Sequence, residues 1–252
     1  MKALITGASS GIGRDMSRYL AQLGWDLILV ARRENRLTEL KKELFSVDVE
    51  TIILDVGKQE DCFKLYELTK DKQVDMLINN AGFGLAGEFA DADLYTELNM
   101  INVNIKAVHI LTKLFVRDFI ERDSGIILNV ASSAGFMAGP LLSTYYATKN
   151  YVLRLTEAIY EELRHKGSKV KISALCPGPV DTEFNSVAQV KFAMKGISSE
   201  YCAKTAIDGA FVGKPVIIPG TVMKLGLFFR RFLSEKAMLR TAYGIQKRKN
   251  DK

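Results

Sequence analysis

The sequence predicts an α/β protein: one doubly wound parallel sheet, Rossmann-like, of about seven strands with helices on both faces. Three observations predict it. Short apolar runs alternate with amphipathic helical stretches along the whole chain. Those runs lack an alternating polar face, as strands covered on both sides do. The first run ends in a glycine-rich turn, "ITGASSGIG", that leads straight into a helix. A chain of 252 residues with 48% hydrophobic and 25% charged side chains can bury one large core unaided. No repeat, linker or low-complexity tract divides it.

The elements follow in order. "KALITG" is the first strand. The next helix carries Ile12, Met16, Tyr19, Leu20 and Leu23 at helical spacing. "WDLILVA" is the second strand, and 34–45 a helix with Leu37, Leu40 and Leu44 on one side. "VETIILDV" is the third strand, followed by a helix over 58–72. "VDMLINNAG" is the fourth, with a loop and a long helix over about 96–122. "GIILNVAS" is the fifth, followed by a long helix over 144–165. "KVKISALCPG" and "KPVIIPG" supply the sixth and seventh. Residues 1–220 are expected to form the domain proper, with a substrate lid at about 183–215. Residues 221–252 are read as an extension of it.

Composition narrows the function. The three cysteines, Cys62, Cys176 and Cys202, are far apart, and only His109 and His165 are present. Neither a disulfide framework nor a metal site is expected. The chain enters a strand at once, so no signal peptide is expected. No apolar run reaches the roughly 18 residues of a membrane span. A cytoplasmic protein in a reducing compartment is the expectation. The formal charge is +6, yet residues 221–252 hold nine basic and two acidic residues, a net +7. The body is therefore close to neutral, and no nucleic-acid footprint is expected.

The glycine-rich turn carries the first chemistry. Gly7, Gly11 and Gly13 are spaced G-x-x-x-G-x-G, with Ser9, Ser10 and Ile12 between them. Glycines let the backbone approach a pyrophosphate, and a helix N-terminus offers free N–H groups to it. This turn is read as a dinucleotide site. The second strand ends "LILVARRENR", with no acid to bind a ribose hydroxyl. Arg32 and Arg33 follow instead, and guanidinium matches phosphate. NADP(H) is expected in preference to NAD(H).

The chain resembles the short-chain dehydrogenase/reductase family over roughly residues 3–185. Four motifs carry the resemblance in order: "TGASSGIG" at 6–13, "NNAG" at 79–82, a serine thirteen residues ahead of Y-x-x-x-K, and "PGPVDT" at 177–182. In "STYYATK", Lys149 lies within a helical turn of both Tyr145 and Tyr146, so spacing alone leaves both open. The resemblance implies Tyr145 as the catalytic residue, with Lys149, Ser132 and Asn104 beside it. Ser133 and Asn102 stand next to the last two as second readings. The resemblance also implies cofactor contacts from Asp55, Val56, Asn80, Ala81, Gly82, Pro177, Gly178, Val180 and Thr182. It further implies a homodimer or homotetramer through the two long helices.

These residue types suit carbonyl reduction. The nicotinamide supplies a hydride. A phenol supplies the proton, and a nearby ammonium is expected to lower its pKa. Ser132 would hold the carbonyl oxygen, and Asn104 would anchor a water for proton replacement. The expected substrate is a hydrophobic ketone or aldehyde, because "AGFMAGPLLS" and the stretch with Phe184, Val187, Val190, Phe192 and Met194 offer apolar walls. The same groups run alcohol oxidation in reverse. The alternative is a non-catalytic protein that senses NADP(H). A nucleotide-sugar or methyl-donor enzyme on a similar sheet fits "NNAG" and Y-x-x-x-K less well.

The tail repeats Leu225, Phe228, Phe229, Phe232 and Leu233 at helical spacing, with Arg230 and Arg231 off the stripe. One amphipathic helix is expected there. Three roles are open to it: packing on its own domain or a second subunit, peripheral membrane contact through 224–240, or a place at the substrate entrance.

Overall fold

In the computed structural model, which describes residues 1–188 and 196–250, the chain alternates as expected. In order come β1 (Lys2–Thr6), α1 (Gly11–Gln22), β2 (Asp26–Ala31), α2 (Glu34–Glu43), β3 (Val49–Ile53), α3 (Gln59–Thr69), β4 (Met76–Asn79) and α4 (Leu94–Ile101). A π-helical turn (Asn102–Ala107) joins α4 to α5 (Val108–Glu121). Then follow β5 (Ile126–Val130), a 3₁₀ turn (Ser133–Phe136), α6 (Ser143–His165), β6 (Lys171–Leu175), β7 (Val180–Asp181) and the short α7 (Phe184–Val187). The chain continues with β8 (Ile197–Ser198), α8 (Ser199–Phe211), β9 (Val216–Ile217), α9 (Thr221–Phe229), a 3₁₀ turn (Arg230–Phe232) and α10 (Glu235–Asn250).

The main sheet has the order β3-β2-β1-β4-β5-β6-β9, parallel throughout. Successive residues of each strand serve opposite layers. Ala3 and Ile5, Leu27 and Leu29, and Met76 and Ile78 pack with Met16, Leu20, Leu37 and Ala206 on one side. Leu4, Ile28, Val30 and Leu77 pack with Leu65, Leu111, Phe115 and Phe119 on the other. Burying these strands on both faces removes their apolar side chains from water, at about 25 cal/mol per Å². Strand order reverses between β1 and β4, and that crevice is where such sheets bind ligands.

Three elements differ from the sequence reading. The helix expected over 96–122 contains the π turn, and Asn104 sits in it, fully buried. A widened turn re-aims a side chain that a regular helix would direct elsewhere. Of the stretch expected as a lid over 183–215, Glu183, Phe184 and Asn185 line the cavity, whereas Cys202, Ala203, Ala206, Ile207 and Ala210 of α8 are buried in the core beside α1. Val190, Phe192 and Met194 lie outside the described residues. The tail is two helices rather than one, since the stripe breaks after Phe229 into a 3₁₀ turn.

Candidate active site

The ends of β1 to β6 open into one cavity of about 940 Å³. At one end lies the phosphate loop. Gly7 holds a φ of +67°, and a β-carbon there would meet Ala81 Cα at 2.8 Å. At Gly13 it would meet Asn80 Nδ2 at 2.3 Å and the Gly7 carbonyl oxygen at 2.6 Å. Asn80 is the pin: its Nδ2 donates to the Thr6 and Gly7 carbonyls at 3.0 and 3.1 Å. The Thr6 hydroxyl oxygen in turn accepts from the Asn80 and Ala81 backbone N–H groups at 3.0 and 3.1 Å. "NNAG" thus clamps the loop onto β4. Gly13→Ala is expected to cost about 1–3 kcal/mol by overpacking this clamp. Thermal unfolding checks it, and an unchanged midpoint would contradict the account.

Beside the loop, Arg33 donates from Nη2 to Ser10 Oγ at 2.7 Å and to Ser9 Oγ at 3.1 Å. Its Nη1 donates to Glu183 at 3.0 Å, and Arg36 also pairs with Glu183. Arg36 and then Arg33 hold that carboxyl below its ordinary range. Arg32 is mostly exposed, with Asp55 at 3.7 Å. The two arginines therefore part ways: Arg33 touches the phosphate loop, and Arg32 points along β3. Sequence reading missed Arg36 and Glu183, although Arg36 sits one helical turn beyond Arg33. The donor set fits a dinucleotide, with a glycine cradle, serine hydroxyls, a helix N-terminus and a guanidinium around one crevice.

At the other end stand Ser132, Tyr145 and Lys149. The long helix α6 puts Tyr145 in its first turn and Lys149 one turn on. Ser132 follows β5; its Oγ accepts from Ala134 N at 3.1 Å and lies near enough to the Tyr145 phenol to act on its titration. Ser133 also lines the cavity, and its backbone N–H donates to the Pro177 carbonyl at 2.8 Å. Lys149 is buried, and its Nζ donates to the Val130 carbonyl at 2.9 Å, 5.9 Å from the centre of the Tyr145 ring.

The titration of the pair differs from expectation. Burial pushes the Tyr145 phenol up to about 12, against the opposing pull of Ser132. Burial also brings Lys149 down to about 8. The ammonium is turned to Val130 and does not lower the phenol here, so desolvation wins. The phenol is thus neutral and holds its proton, the form a proton donor needs.

Asn104 does not reach the cavity. Its amide donates to the Phe83 carbonyl at 2.9 Å and Thr148 Oγ1 at 3.0 Å, and its oxygen accepts from Phe83 N at 3.1 Å. Thr148 Oγ1 donates to the Tyr145 carbonyl at 2.7 Å. A β-carbon at Gly82 would come within 3.0 Å of Asn104 Oδ1 and 3.3 Å of Lys149 Nζ, so a larger residue would crowd these groups. Asn102 borders a separate, smaller pocket. Asp55, Val56, Asn80, Ala81, Gly82, Pro177, Gly178, Val180 and Thr182 all line the main cavity, as do Gly7, Ser9, Ser10, Gly11 and Ile12. Gly13 lies behind it.

The wall beyond Tyr145 is apolar. Met137, Leu142, Tyr146 and Phe184 form it, with Phe184 5.4 Å from the Tyr145 ring. Tyr146 is a wall residue whose hydroxyl accepts from Gln246 Nε2 at 3.1 Å. The tail closes this end through Val222, Met223, Leu227, Ala242 and Gln246. Sequence reading left the tail's role open and had no signal for Gln246, whose meeting with Tyr146 spans 100 positions.

Comparison with known proteins agrees with this arrangement. The family model for short chain dehydrogenases matches residues 1–193, and the chain belongs to that family of oxidoreductases. Sulfoacetaldehyde reductase 2 of Chromohalobacter salexigens is 39% identical over 189 residues, covering 73% of this chain and 74% of that one. The mouse very-long-chain 3-oxoacyl-CoA reductase is 26% identical over 267 aligned positions, 98% of this chain and 83% of that one, so its match runs through the tail. Among solved structures, a short-chain dehydrogenase from Sphingobium yanoikuyae in complex with NADPH superposes with a TM-score of 0.82 at 30% identity, over 91% of this chain and 93% of that one. Nicotinamide-cofactor chemistry is the family's trade.

Proposed function

We propose that the protein reduces hydrophobic ketones or aldehydes with NADPH, using Tyr145 as the proton donor. One observation carries the reading: a single cavity joins the phosphate loop and Arg33 at one end to Ser132, Tyr145 and Lys149 at the other, with an apolar chamber beyond. Bound nicotinamide supplies the hydride. Ser132 orients the carbonyl oxygen and stabilises the charge that develops on it. Tyr145, neutral and beside Ser132, gives its hydroxyl proton to that oxygen. Lys149 would hold the ribose of a bound cofactor and return the proton to the phenol, and Asn104 keeps the π turn and Thr148 in place behind it. A sensor has no use for a proton donor seated at the mouth of an apolar chamber, which favours turnover over sensing.

Solved neighbours carry NADPH in one case and NAD in another, so the cofactor choice rests on this chain's own residues. Arg33 bonds the loop serines and shares the Glu183 carboxylate with Arg36, a carboxylate that a 2′-phosphate would replace. Arg33→Ala is expected to lower kcat/KM for NADPH about tenfold or more, with little change for NADH. Steady-state kinetics with both cofactors checks it, and equal losses would contradict the assignment.

The substrate reading rests on the wall residues, and the names of relatives lean the same way, toward carbonyl groups on chains both short and long. Leu94, Tyr95 and Leu98 on α4 and Tyr151 on α6 are exposed. That face suits a homodimer or homotetramer built on the two long helices. The three free, buried cysteines suit a reducing compartment such as the cytoplasm. Among the described residues no helix is long and apolar enough to cross a membrane.

A further inference from the structure

We infer that the outer face of α9 and the turn after it dock on an anionic lipid surface, so that the roof of the cavity sits against the membrane. The helix has two working faces. Met223 and Leu227, one turn apart, look into the cavity beside Gly226. The other side presents Leu225, Phe228, Phe229, Phe232 and Leu233, all between 50% and 74% exposed. The three phenylalanine rings touch one another, with centroids 5.6, 5.9 and 6.5 Å apart. A contiguous exposed aromatic cluster of this kind marks a contact surface.

The charge around it chooses the occupant. Lys224 and Arg230 lie on the same helix and turn as the cluster, Lys236 and Arg240 follow on α10, and none forms a salt bridge among the described residues. Arginines of the body such as Arg18, Arg33, Arg36 and Arg164 are each paired with a carboxylate. The cations next to the phenylalanines thus have no carboxylate held against them among the described residues. A second copy is the poorer occupant, because a two-fold contact would set these cations against themselves. Aromatic and aliphatic side chains on one face, in a segment rich in unpaired cations, match the headgroup layer of an anionic bilayer. Gln246 and Tyr146 tie the roof to α6, so docking leaves the cavity's end wall in place. Combined with the proposed reductase activity, on which this last step rests, the geometry delivers a lipid-dissolved carbonyl compound to the chamber.

Flotation of the purified full-length protein tests it. The probes are vesicles of phosphatidylcholine alone and vesicles with about 30 mol% phosphatidylglycerol. Binding to the anionic vesicles is expected, at least about tenfold weaker on the neutral ones, and weaker again when salt rises from about 0.1 to about 1 M. Phe229→Ser with Phe232→Ser should abolish flotation. The same variant should keep the wild-type unfolding midpoint and its NADPH turnover of a water-soluble ketone. No flotation of the wild type overturns the proposal, as does flotation that survives the double substitution. Flotation without any turnover would sink the reductase reading alone; turnover without flotation would sink docking alone. A wild-type dimer that the double substitution splits, with no flotation, would assign the face to a second copy.

Discussion

Tyr145→Phe is expected to lower kcat for carbonyl reduction by about 10²–10⁴-fold, the range a positioned general acid contributes. The variant should keep the fold and NADPH binding. The substitution removes one oxygen from a half-buried ring that keeps its contacts with Phe184 and Tyr146. Tyr146→Phe is the internal control. Its hydroxyl meets Gln246 and not Ser132, so it should lose no more than a few-fold in kcat. Single-turnover rates for the two variants side by side decide between the tyrosines. Comparable losses in both would mean that the phenol is not the proton donor.

Lys149→Met is expected to reduce turnover and, at the same time, to change how stability depends on pH. The sign follows from burial. Lys149 in the folded protein sits at about 8, below its ordinary 10.5. Below pH 8 both folded and unfolded chains carry the charge, and the folded one bears the cost of burying it. As pH rises from 8 to 10.5 the folded protein releases its proton first, and the cost is relieved. Wild-type stability should therefore rise relative to the variant across that window, by roughly 3 kcal/mol. The lost bond to the Val130 carbonyl shifts the difference by a constant and leaves its slope intact, and Tyr145 is common to both proteins. The same ionisation should give kcat/KM for NADPH a descending limb near pH 8. Denaturant unfolding of both proteins from pH 7 to 10 is the check. A flat difference would mean that the ammonium is better solvated than its surroundings indicate.

The sheet was legible because each strand is an unbroken apolar run and each helix a stripe, so period and length alone separated them. The phosphate loop was legible because only glycine tolerates what Gly7 and Gly13 undergo. Tyr145 was not legible from spacing, since Lys149 reaches back to either tyrosine; only the family pattern favours it, and the structure adds that Tyr146 instead meets Gln246. The π turn at Asn104 left no trace in the hydrophobic period, because one extra residue per turn is smaller than the width of an apolar stripe. The roof of the chamber was hidden for another reason. Its residues belong to a segment whose best sequence signal, the phenylalanine stripe, faces the other way, while Met223, Leu227 and Gln246 carry no pattern of their own. The lid was overestimated because α8 offers small buried residues, Ala203, Ala206 and Ala210, that read as featureless until seen packed on α1.

The central claim is that one cavity carries hydride transfer from NADPH to a carbonyl carbon while Tyr145 delivers the proton. Incubating the protein with NADPH deuterated at the transferable position and a panel of steroid, acyl and aromatic ketones tests it most directly, with products read by mass spectrometry. The account predicts one deuterium on the new carbinol carbon of at least one hydrophobic ketone, and an initial labelling rate at least about a hundredfold lower with Tyr145→Phe under the same conditions. NADPH that binds but yields no deuterated alcohol from any ketone, or equal labelling by the Tyr145→Phe variant, would contradict it.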